Sequence, residues 1–156
     1  VPGLPGVLGE AHALLHGRAE DDFGSGRIYI WKNVWQAAKE RPLFGGGPDT
    51  LSRRITAYFE RYDEAGHIVR RTGIDTAHNE YLNILANQGL FALICWLGAL
   101  GCSAVRFVRR AGERPAALIC GSAVLGYCVQ AFFGISMCLS TPFFVIAWAM
   151  LETREN

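Results

Sequence analysis

The chain has 156 residues, of which 51% are hydrophobic and 19% charged, and its 15 Lys and Arg against 14 Asp and Glu give a formal net charge of +1. The hydrophobic content argues against a disordered chain, and the neutral balance, without a run of basic residues, argues against a nucleic-acid-binding module. The charges are unevenly placed: residues 1–88 carry ten Lys and Arg, eleven Asp and Glu and all four His, whereas residues 89–156 carry five Arg and three Glu. The chain therefore divides into a polar half and an apolar half.

The beginning of the polar half predicts a helix after a leading segment of Pro and Gly. The chain opens on Val1 without an initiator Met or a signal-peptide pattern, so we interpret it as the C-terminal part of a longer protein. Ser25 and Gly26 can cap a first helix, which Pro42 would end because proline disfavours helical geometry at the residue before it. The apolar stripe of this helix would consist of Ile28, Trp31, Trp35 and Ala38.

Two further helices are predicted before the apolar half begins. Asp49 is a good N-cap for a second helix. Its apolar residues would be Leu51, Ile55 and Phe59. Residues 61–75 are charged and predict a loop. Asp75 or Thr76 then caps a third helix that leads without a breaker into the first membrane span, with Gly89 at the transition from water to lipid.

The apolar half predicts membrane spans, because its uncharged stretches are as long as a bilayer core of about 30 Å requires. Four Arg residues lie between them, which makes this short loop cytoplasmic by the positive-inside rule and the polar half extracytoplasmic. We therefore predict an all-α integral membrane protein, in which a helical extracytoplasmic loop region precedes two to three transmembrane helices. The predicted segments are an extracytoplasmic loop region at 1–88, a transmembrane helix at 89–108, a cytoplasmic loop at 109–115, a transmembrane helix at 116–134, an outer loop at 135–141 and a short or truncated last span at 142–156.

The five cysteines predict neither a metal site nor a disulfide framework. All of them fall in apolar stretches, without a C-x-x-C pair or a His at metal-ligand spacing. We interpret them as small buried hydrophobic residues. The cysteines therefore give no sign of a metal site.

His78 is the first candidate for chemistry, because we expect it in the first turn of the third helix, beside the membrane surface. The positive end of the helix dipole disfavours a protonated imidazole there, and a neutral His can act as a general base. The alternative is an interfacial His that caps the helix or forms local hydrogen bonds. Asn79 and Glu80 could orient His78 or be ordinary residues of a helix N-terminus.

Arg27 and Trp31 form a second candidate pair, one helical turn apart on the same face. A guanidinium group suits bidentate recognition of phosphate, whereas Trp at a bilayer interface is also an ordinary membrane anchor. The Gly45-Gly46-Gly47 loop could bring backbone N–H groups near a phosphate, or be a turn between helices, since it lacks a P-loop pattern. The pairs Arg53-Arg54 and Arg70-Arg71 are interpreted as parts of a solvated, salt-bridged surface.

Four short motifs, read in order, resemble the C-terminal half of the O-antigen ligase and O-antigen polymerase family of bacterial membrane glycosyltransferases. They are Gly26-Arg27 with Trp31, Pro42 to Leu51, Ala77 to Leu82, and Gly89-Leu90. The most specific element is the family's ligase pattern, in which His78, Asn79 and Gly89 match. Ala92 stands at the last position, where the pattern has Gly, Thr or Tyr, so a ligase, a polymerase and a related capsule or cell-wall glycan transferase all remain open.

The resemblance implies transfer of a glycan from an undecaprenyl-pyrophosphate carrier to a hydroxyl of a glycan or lipid acceptor, at the outer face of the bacterial inner membrane. No metal, nucleotide or nucleic acid would take part. His78 would accept the proton of the hydroxyl, and Arg27 would stabilise charge on the pyrophosphate leaving group. Trp31, Gly45, Gly47 and Asn79 would contribute to substrate binding, the two glycines by shaping the loop over the site.

The resemblance also implies that the site is shared with another part of the protein. Members of the family use an Arg from an earlier outer loop, which is absent here, so the chain alone should be inactive. The rival interpretation is a non-enzymatic membrane scaffold or a fragment of a lipid or polysaccharide transporter, in which His78 and Arg27 only seat the polar half against lipid headgroups.

Overall fold

The computed structural model describes residues 23–62, 68–110 and 115–153. These residues are mainly helical, with two helices that could span a membrane, which confirms the predicted fold class. In chain order the elements are α1 (Phe23–Glu40), α2 (Leu51–Arg54), β1 (Tyr58–Tyr62), β2 (Ile68–Gly73), α3 (Glu80–Arg110), α4 (Pro115–Phe133) and α5 (Thr141–Glu152). The first helix ends two residues before Pro42, as the sequence predicts.

The helices α3 and α4 are long and apolar enough to cross a membrane, each with a mean hydropathy of 1.8 over its most apolar stretch. Only 6% and 22% of those two stretches are buried inside the structure, whereas the core helix of a soluble protein would be mostly buried. The third apolar helix, α5, has 12 residues and is therefore about 18 Å long, too short to cross by itself.

The short helix α5 is hydrogen-bonded to α3 near its C-terminus and to α4 near its N-terminus. Near its C-terminus, Glu152 forms an ion pair with Arg106 and accepts a hydrogen bond from Ser103 Oγ at 2.5 Å. Trp148 Nε1 donates to the same hydroxyl at 2.6 Å. At the other end the hydroxyl groups of Thr141 and Tyr127 are 3.1 Å apart. The N-terminus of α5 thus lies beside Tyr127, six residues before the end of α4.

The polar residues fold around a small core in which α1 packs against the beginning of α3. Its largest fully buried side chains are Val34 and Leu51, both 0% exposed. Other members are Ile30, Ala37, Ile55, Ile74, Ala77 and Ala86. The one-turn helix α2 enters this core through Leu51 and Ile55, and it then ends because Ile55 is extended. The prediction of a longer second helix that includes Phe59 is therefore wrong, and the residue that precedes α2 is Thr50 rather than Asp49.

A β-hairpin replaces most of the loop predicted at residues 61–75. The strands β1 and β2 pair antiparallel, and residues 63–67 between them lie outside the described part of the chain. Glu60 lies opposite Arg71, whose Nη2 is 2.6 Å from the Glu60 carboxylate, and the Arg71 guanidinium lies 5.5 Å from the centre of the Tyr58 ring. The sequence did not indicate strands because these cross-strand pairs are charged and aromatic, without an alternating apolar pattern.

The cysteines are less buried than the sequence predicted. Cys120 is buried and Cys128 is half-buried, but the other three are exposed on the apolar surface. These are Cys95, Cys102 and Cys138. Residues of a membrane span need not be buried in the protein, because lipid can solvate an apolar side chain as well as a protein core can.

Candidate active site

His78 stands exposed between two buried neighbours at the beginning of α3. Ala77 is 0% exposed and Asn79 is 6% exposed. The backbone of His78 has φ of 47°, in the left-handed region that non-glycine residues seldom adopt. A residue held in this conformation indicates a constraint from the surrounding structure, and such constraints cluster at functional sites. The imidazole is therefore exposed on a short backbone segment, residues 77–79, whose two outer residues are buried.

Asn79 supplies one of the anchors, because it is the N-cap of α3. Its Oδ1 accepts a hydrogen bond from the backbone N–H of Leu82 at 3.0 Å, which is the contact that an N-cap side chain makes with the third residue of a helix. The prediction that Asp75 or Thr76 caps this helix is therefore wrong. His78 lies one residue before the cap rather than in the first turn, so its backbone is outside the helix.

Trp31 supplies the second anchor. Its indole Nε1 donates a hydrogen bond to the carbonyl oxygen of Ala77 at 3.0 Å, across 46 residues of sequence. Its ring also packs edge-on against Phe132 near the end of α4, with centroids 5.7 Å apart and planes at 78°. Trp31 thus joins α1, α4 and the peptide group directly before His78, and its N–H group is engaged within the protein.

Arg27 lies one turn before Trp31 on the same face of α1, about 6 Å along the helix axis. It is half-buried, and it follows Gly26, whose φ of 79° interrupts the helical backbone one residue earlier. Only a residue without a Cβ adopts such a φ without strain, which accounts for Gly before Arg in this motif. The bond from Trp31 to Ala77 therefore brings the face of α1 that carries Arg27 to the segment that carries His78.

An open apolar groove of about 560 Å³ lies beside these residues, between α1 and the beginning of α3. Its lining includes Trp31, Trp35, Leu85 and Phe132, together with Asn79 from the cap of α3 and Lys32. The groove reaches residues 77–79 through Asn79, the residue after His78. Such a surface suits the hydrocarbon part of an amphipathic molecule better than a free sugar or nucleotide.

The helix α3 is broken at Gly89, so the prediction of a third helix without a breaker is wrong. Gly89 has φ of 88° and ψ of 177°, a conformation found essentially only for glycine. In a continuous helix Leu90 N and Phe91 N would donate to Ala86 O and Asn87 O. They donate instead to Pro42 O at 2.8 Å and Leu43 O at 3.4 Å. Both acceptors lie in residues 41–50, the segment between α1 and α2 that we call the glycine loop.

The glycine loop also donates two hydrogen bonds to α3. Gly46 N donates to Ala86 O at 3.0 Å, and Gly47 N donates to Asn87 O at 2.8 Å. Gly45 N donates to the carbonyl of Arg41 at 3.0 Å. The predicted phosphate-binding N–H groups of this loop therefore have acceptors within the chain, and the loop joins the end of α1 to the break in α3. The alternative of a turn between helices fits this geometry better.

Two glycines permit the close approach of the loop and the break. A Cβ on Gly45 would lie within 2.5 Å of Gln88 N and closer to the carbonyl group of Asn87. A Cβ on Gly89 would lie within 2.5 Å of Phe44 N and closer to the Leu43 carbonyl. Any larger residue at either position would force two backbone segments apart.

Arg54 is a site residue that sequence reasoning missed. Its guanidinium donates from Nη1 to Ala86 O at 2.8 Å and from Nη2 to Ala37 O, so it is half-buried between two backbone segments instead of solvated with Arg53. A signal was present in the sequence: Arg54 follows Leu51 by three residues, which places the two on one face of a helical turn, and Leu51 is apolar.

Glu80 connects the candidate site to the segment between α4 and α5. Its Oε2 accepts a hydrogen bond from the backbone N–H of Ser136 at 2.8 Å. The hydroxyl of the next residue, Tyr81, donates to the carbonyl of Cys128 at 2.9 Å. The first two residues of α3 thus connect the segment that carries His78 to α4 and to the residues that follow it. Within residues 23–62, 68–110 and 115–153, no group of three or more His, Cys, Asp or Glu side chains could hold a metal ion.

Comparison with models of known protein families gives a match. The family model described as O-antigen ligase matches residues 1–97, which include α1, the glycine loop, His78 and the break at Gly89. No curated protein and no solved structure matches the chain. Because the match covers more than half of the sequence, the chain belongs to the O-antigen ligase family, which implies a glycosyltransferase-type role in polysaccharide assembly at a membrane.

Proposed function

We propose that the protein transfers a glycan from an undecaprenyl-pyrophosphate carrier to a hydroxyl group of a glycan or lipid acceptor, with His78 as the general base. The observation that carries this proposal is the presentation of His78: an exposed imidazole between two buried residues, on backbone anchored by Trp31 and Asn79. An interfacial His that merely faced water would need neither a left-handed backbone nor two anchors.

The proposed reaction is a direct displacement at the anomeric carbon. The acceptor hydroxyl gives its proton to the imidazole of His78 as its oxygen attacks, and the bond between the anomeric carbon and the pyrophosphate oxygen breaks. Arg27 stabilises the negative charge that develops on the departing pyrophosphate. Attack opposite to the leaving group inverts the configuration of the anomeric carbon, and the products are the glycosylated acceptor and undecaprenyl pyrophosphate. The reaction needs no metal or other cofactor.

The apolar groove beside His78 supports a lipid-linked donor. It has room for part of a hydrocarbon chain and extends to Leu93, in the apolar part of α3 after the break at Gly89. A donor seated there would have its pyrophosphate at the edge of the groove, near Arg27 and Trp31 on α1. Asn79 and the glycine loop would shape this edge, with Gly45 and Gly47 acting through the backbone approach that they permit.

We further propose that the site faces the extracytoplasmic side of the bacterial inner membrane, in a multi-pass protein. Three of the four Arg residues, Arg106, Arg109 and Arg110, lie at the far end of α3, and Arg106 is about 24 Å along the helix axis from Leu90. If these positive charges keep that end of α3 in the cytoplasm, the opposite end of the helix, with His78 before it, is outside. Undecaprenyl-linked glycans and their acceptors would meet at that surface.

The test is glycan transfer by the full-length protein, purified and supplied with a synthetic undecaprenyl-pyrophosphate oligosaccharide and a panel of acceptors. We expect His78→Ala and Arg27→Ala each to reduce transfer at least a hundredfold, because a general acid–base group contributes roughly 10²–10⁴-fold and one donor that stabilises developing charge roughly 10²–10³-fold. Asp75→Ala is the matched control, since Asp75 is exposed in the same segment three residues before His78.

Each variant must be present in the membrane at the wild-type level and have the wild-type unfolding midpoint. A folded His78→Ala variant that transfers at the wild-type rate would disprove the assignment of the base. Failure of the folded wild-type protein to transfer to any acceptor would favour the scaffold or transporter interpretation, for which flipping of the lipid-linked glycan in vesicles is the corresponding assay.

A further inference from the structure

Arg54 lies between the C-terminal ends of two helical segments. Ala37 belongs to the last turn of α1, and Ala86 to the last turn of α3 before the break at Gly89. In a regular helix Arg41 N would donate to Ala37 O, but it donates to Ala38 O instead. Likewise Leu90 N would donate to Ala86 O, but it donates to Pro42 O. Arg54 therefore supplies N–H groups to two carbonyls that the ends of helices leave without their helical partners.

Helix ends also account for the charge of Arg54. The C-terminus of a helix carries a partial charge of roughly −0.5, so two such ends together offer about the charge needed to balance one guanidinium. The fork of a guanidinium carries N–H groups on separate nitrogens and can reach two carbonyls on different segments at once. A Lys side chain has a single nitrogen and cannot reproduce this bridge fully.

Two side-chain links connect α1 itself to residues 77–86, in addition to the backbone hydrogen bonds between residues 42–47 and 86–91. The first is the hydrogen bond from Trp31 to the carbonyl of Ala77, and the second runs from Ala37 through Arg54 to Ala86. On α1 the two links are separated by about 9 Å. The loop hydrogen bonds begin at Pro42, beyond the end of α1, whereas the Arg54 bridge links the last turn of α1 itself to α3 and so helps to set the angle of that helix.

We propose that Arg54 is a positioning residue for glycan transfer, a role that rests on the proposed function of His78 and Arg27. By bridging the two helix ends, Arg54 fixes the angle of α1 against the beginning of α3 and thereby the position of Arg27 relative to His78. Loss of the bridge leaves both reacting side chains and the backbone hydrogen bonds beyond the end of α1 in place, but it removes the side-chain link between the last turn of α1 and α3, so the angle of α1 can shift. Misplacement of a reacting group by about 1 Å can reduce a rate by roughly a hundredfold.

The experiment compares Arg54→Ala with Arg53→Ala in the full-length protein. Arg53 is the matched control, because it has the same charge, is adjacent in sequence and is exposed. We expect Arg54→Ala to lower kcat by about ten- to a hundredfold with the KM for the lipid-linked donor within about threefold, and Arg53→Ala to leave both unchanged. Arg54→Lys should restore activity in part, and guanidinium added at non-denaturing millimolar concentration should restore activity to Arg54→Ala.

A second measurement examines the bridge without reference to activity. Hydrogen–deuterium exchange should become faster at Gly46, Gly47, Leu90 and Phe91 in Arg54→Ala and remain unchanged in Arg53→Ala, because these amides are bonded across the junction that Arg54 braces. Added guanidinium should slow this exchange again. Rescue by a small cation identifies a local bridge, since a general loss of folding would not be reversed in this way.

Three results would overturn the proposal. The first is a kcat for Arg54→Ala within twofold of that for Arg53→Ala. The second is a loss of activity that guanidinium does not restore although exchange at the junction is unchanged, which would make Arg54 a group that contacts substrate. The third is absence of transfer by wild type and Arg53→Ala alike, which refutes the proposed function; faster exchange in Arg54→Ala alone would then show a purely structural bridge.

Discussion

The break at Gly89 provides the sharpest test of how this structure is held together. We consider Gly89→Ala, the smallest substitution that adds a Cβ. At the observed φ of 88° and ψ of 177° an L-residue is strained by about 1–3 kcal/mol. The new Cβ would also overlap the Leu43 carbonyl and lie 2.5 Å from Phe44 N, so the glycine loop could not stay where it is.

The variant chain has two ways to respond. It can keep the break with strain and a displaced loop, or it can form a continuous helix and release the loop. Either response breaks some of the four hydrogen bonds that join the loop to residues 86–91, each worth about 1 kcal/mol net. Ala recovers about 1 kcal/mol of helix propensity over Gly if the helix straightens. We expect a net destabilisation of about 3 kcal/mol.

The assay is unfolding of the purified protein in detergent by titration with SDS, followed by helical circular dichroism. The controls are Gly98→Ala and Gly101→Ala in the same helix, where an added Cβ would meet no atom within 4 Å. We expect the controls to change the free energy of unfolding by less than about 1 kcal/mol. A Gly89→Ala variant as stable as these controls, with unchanged hydrogen exchange at Gly46 and Gly47, would refute the interlocking of the loop and the break.

Three further predictions concern the anchors and the hairpin. Asn79→Ala should lower the free energy of unfolding by about 1 kcal/mol and Asn79→Asp should not, because a carboxylate also caps a helix; equal losses in thermal unfolding would contradict the cap. Trp31→Phe keeps an aromatic ring but loses the hydrogen bond to the carbonyl of Ala77, next to His78. The free energy of unfolding should fall by roughly 0.5–1.5 kcal/mol, and the free-energy barrier to glycan transfer should rise by more than that. An unchanged kcat would contradict this anchor. The side chains of Glu60 and Arg71 are 28% and 56% exposed. Their coupling energy in a double-mutant cycle should therefore be below about 1 kcal/mol and decrease with added salt. A larger, salt-independent coupling energy would contradict a surface ion pair.

The sequence by itself determined the division of the chain and the candidate residues of its site. A long uncharged stretch can be stable only in lipid or in a large core, so the identity of the membrane helices followed from composition. The motifs containing Arg27, Trp31 and His78 were recognisable because the family match depends on residue type and spacing along the chain. The end of α1 before Pro42 was predictable for the same reason, since proline acts on its immediate neighbour.

Tertiary structure alone decided how those residues are held. Nothing local to Gly89 distinguishes a tolerated glycine in a membrane helix from a break, because the break is stable only when Pro42 and Leu43 supply acceptors from far along the chain. Arg53 and Arg54 are the same residue type in adjacent positions, and only the carbonyls that surround Arg54 give it a different role. Hydrogen bonds between distant segments depend on the relative positions of whole helices, and a local sequence pattern carries no record of them.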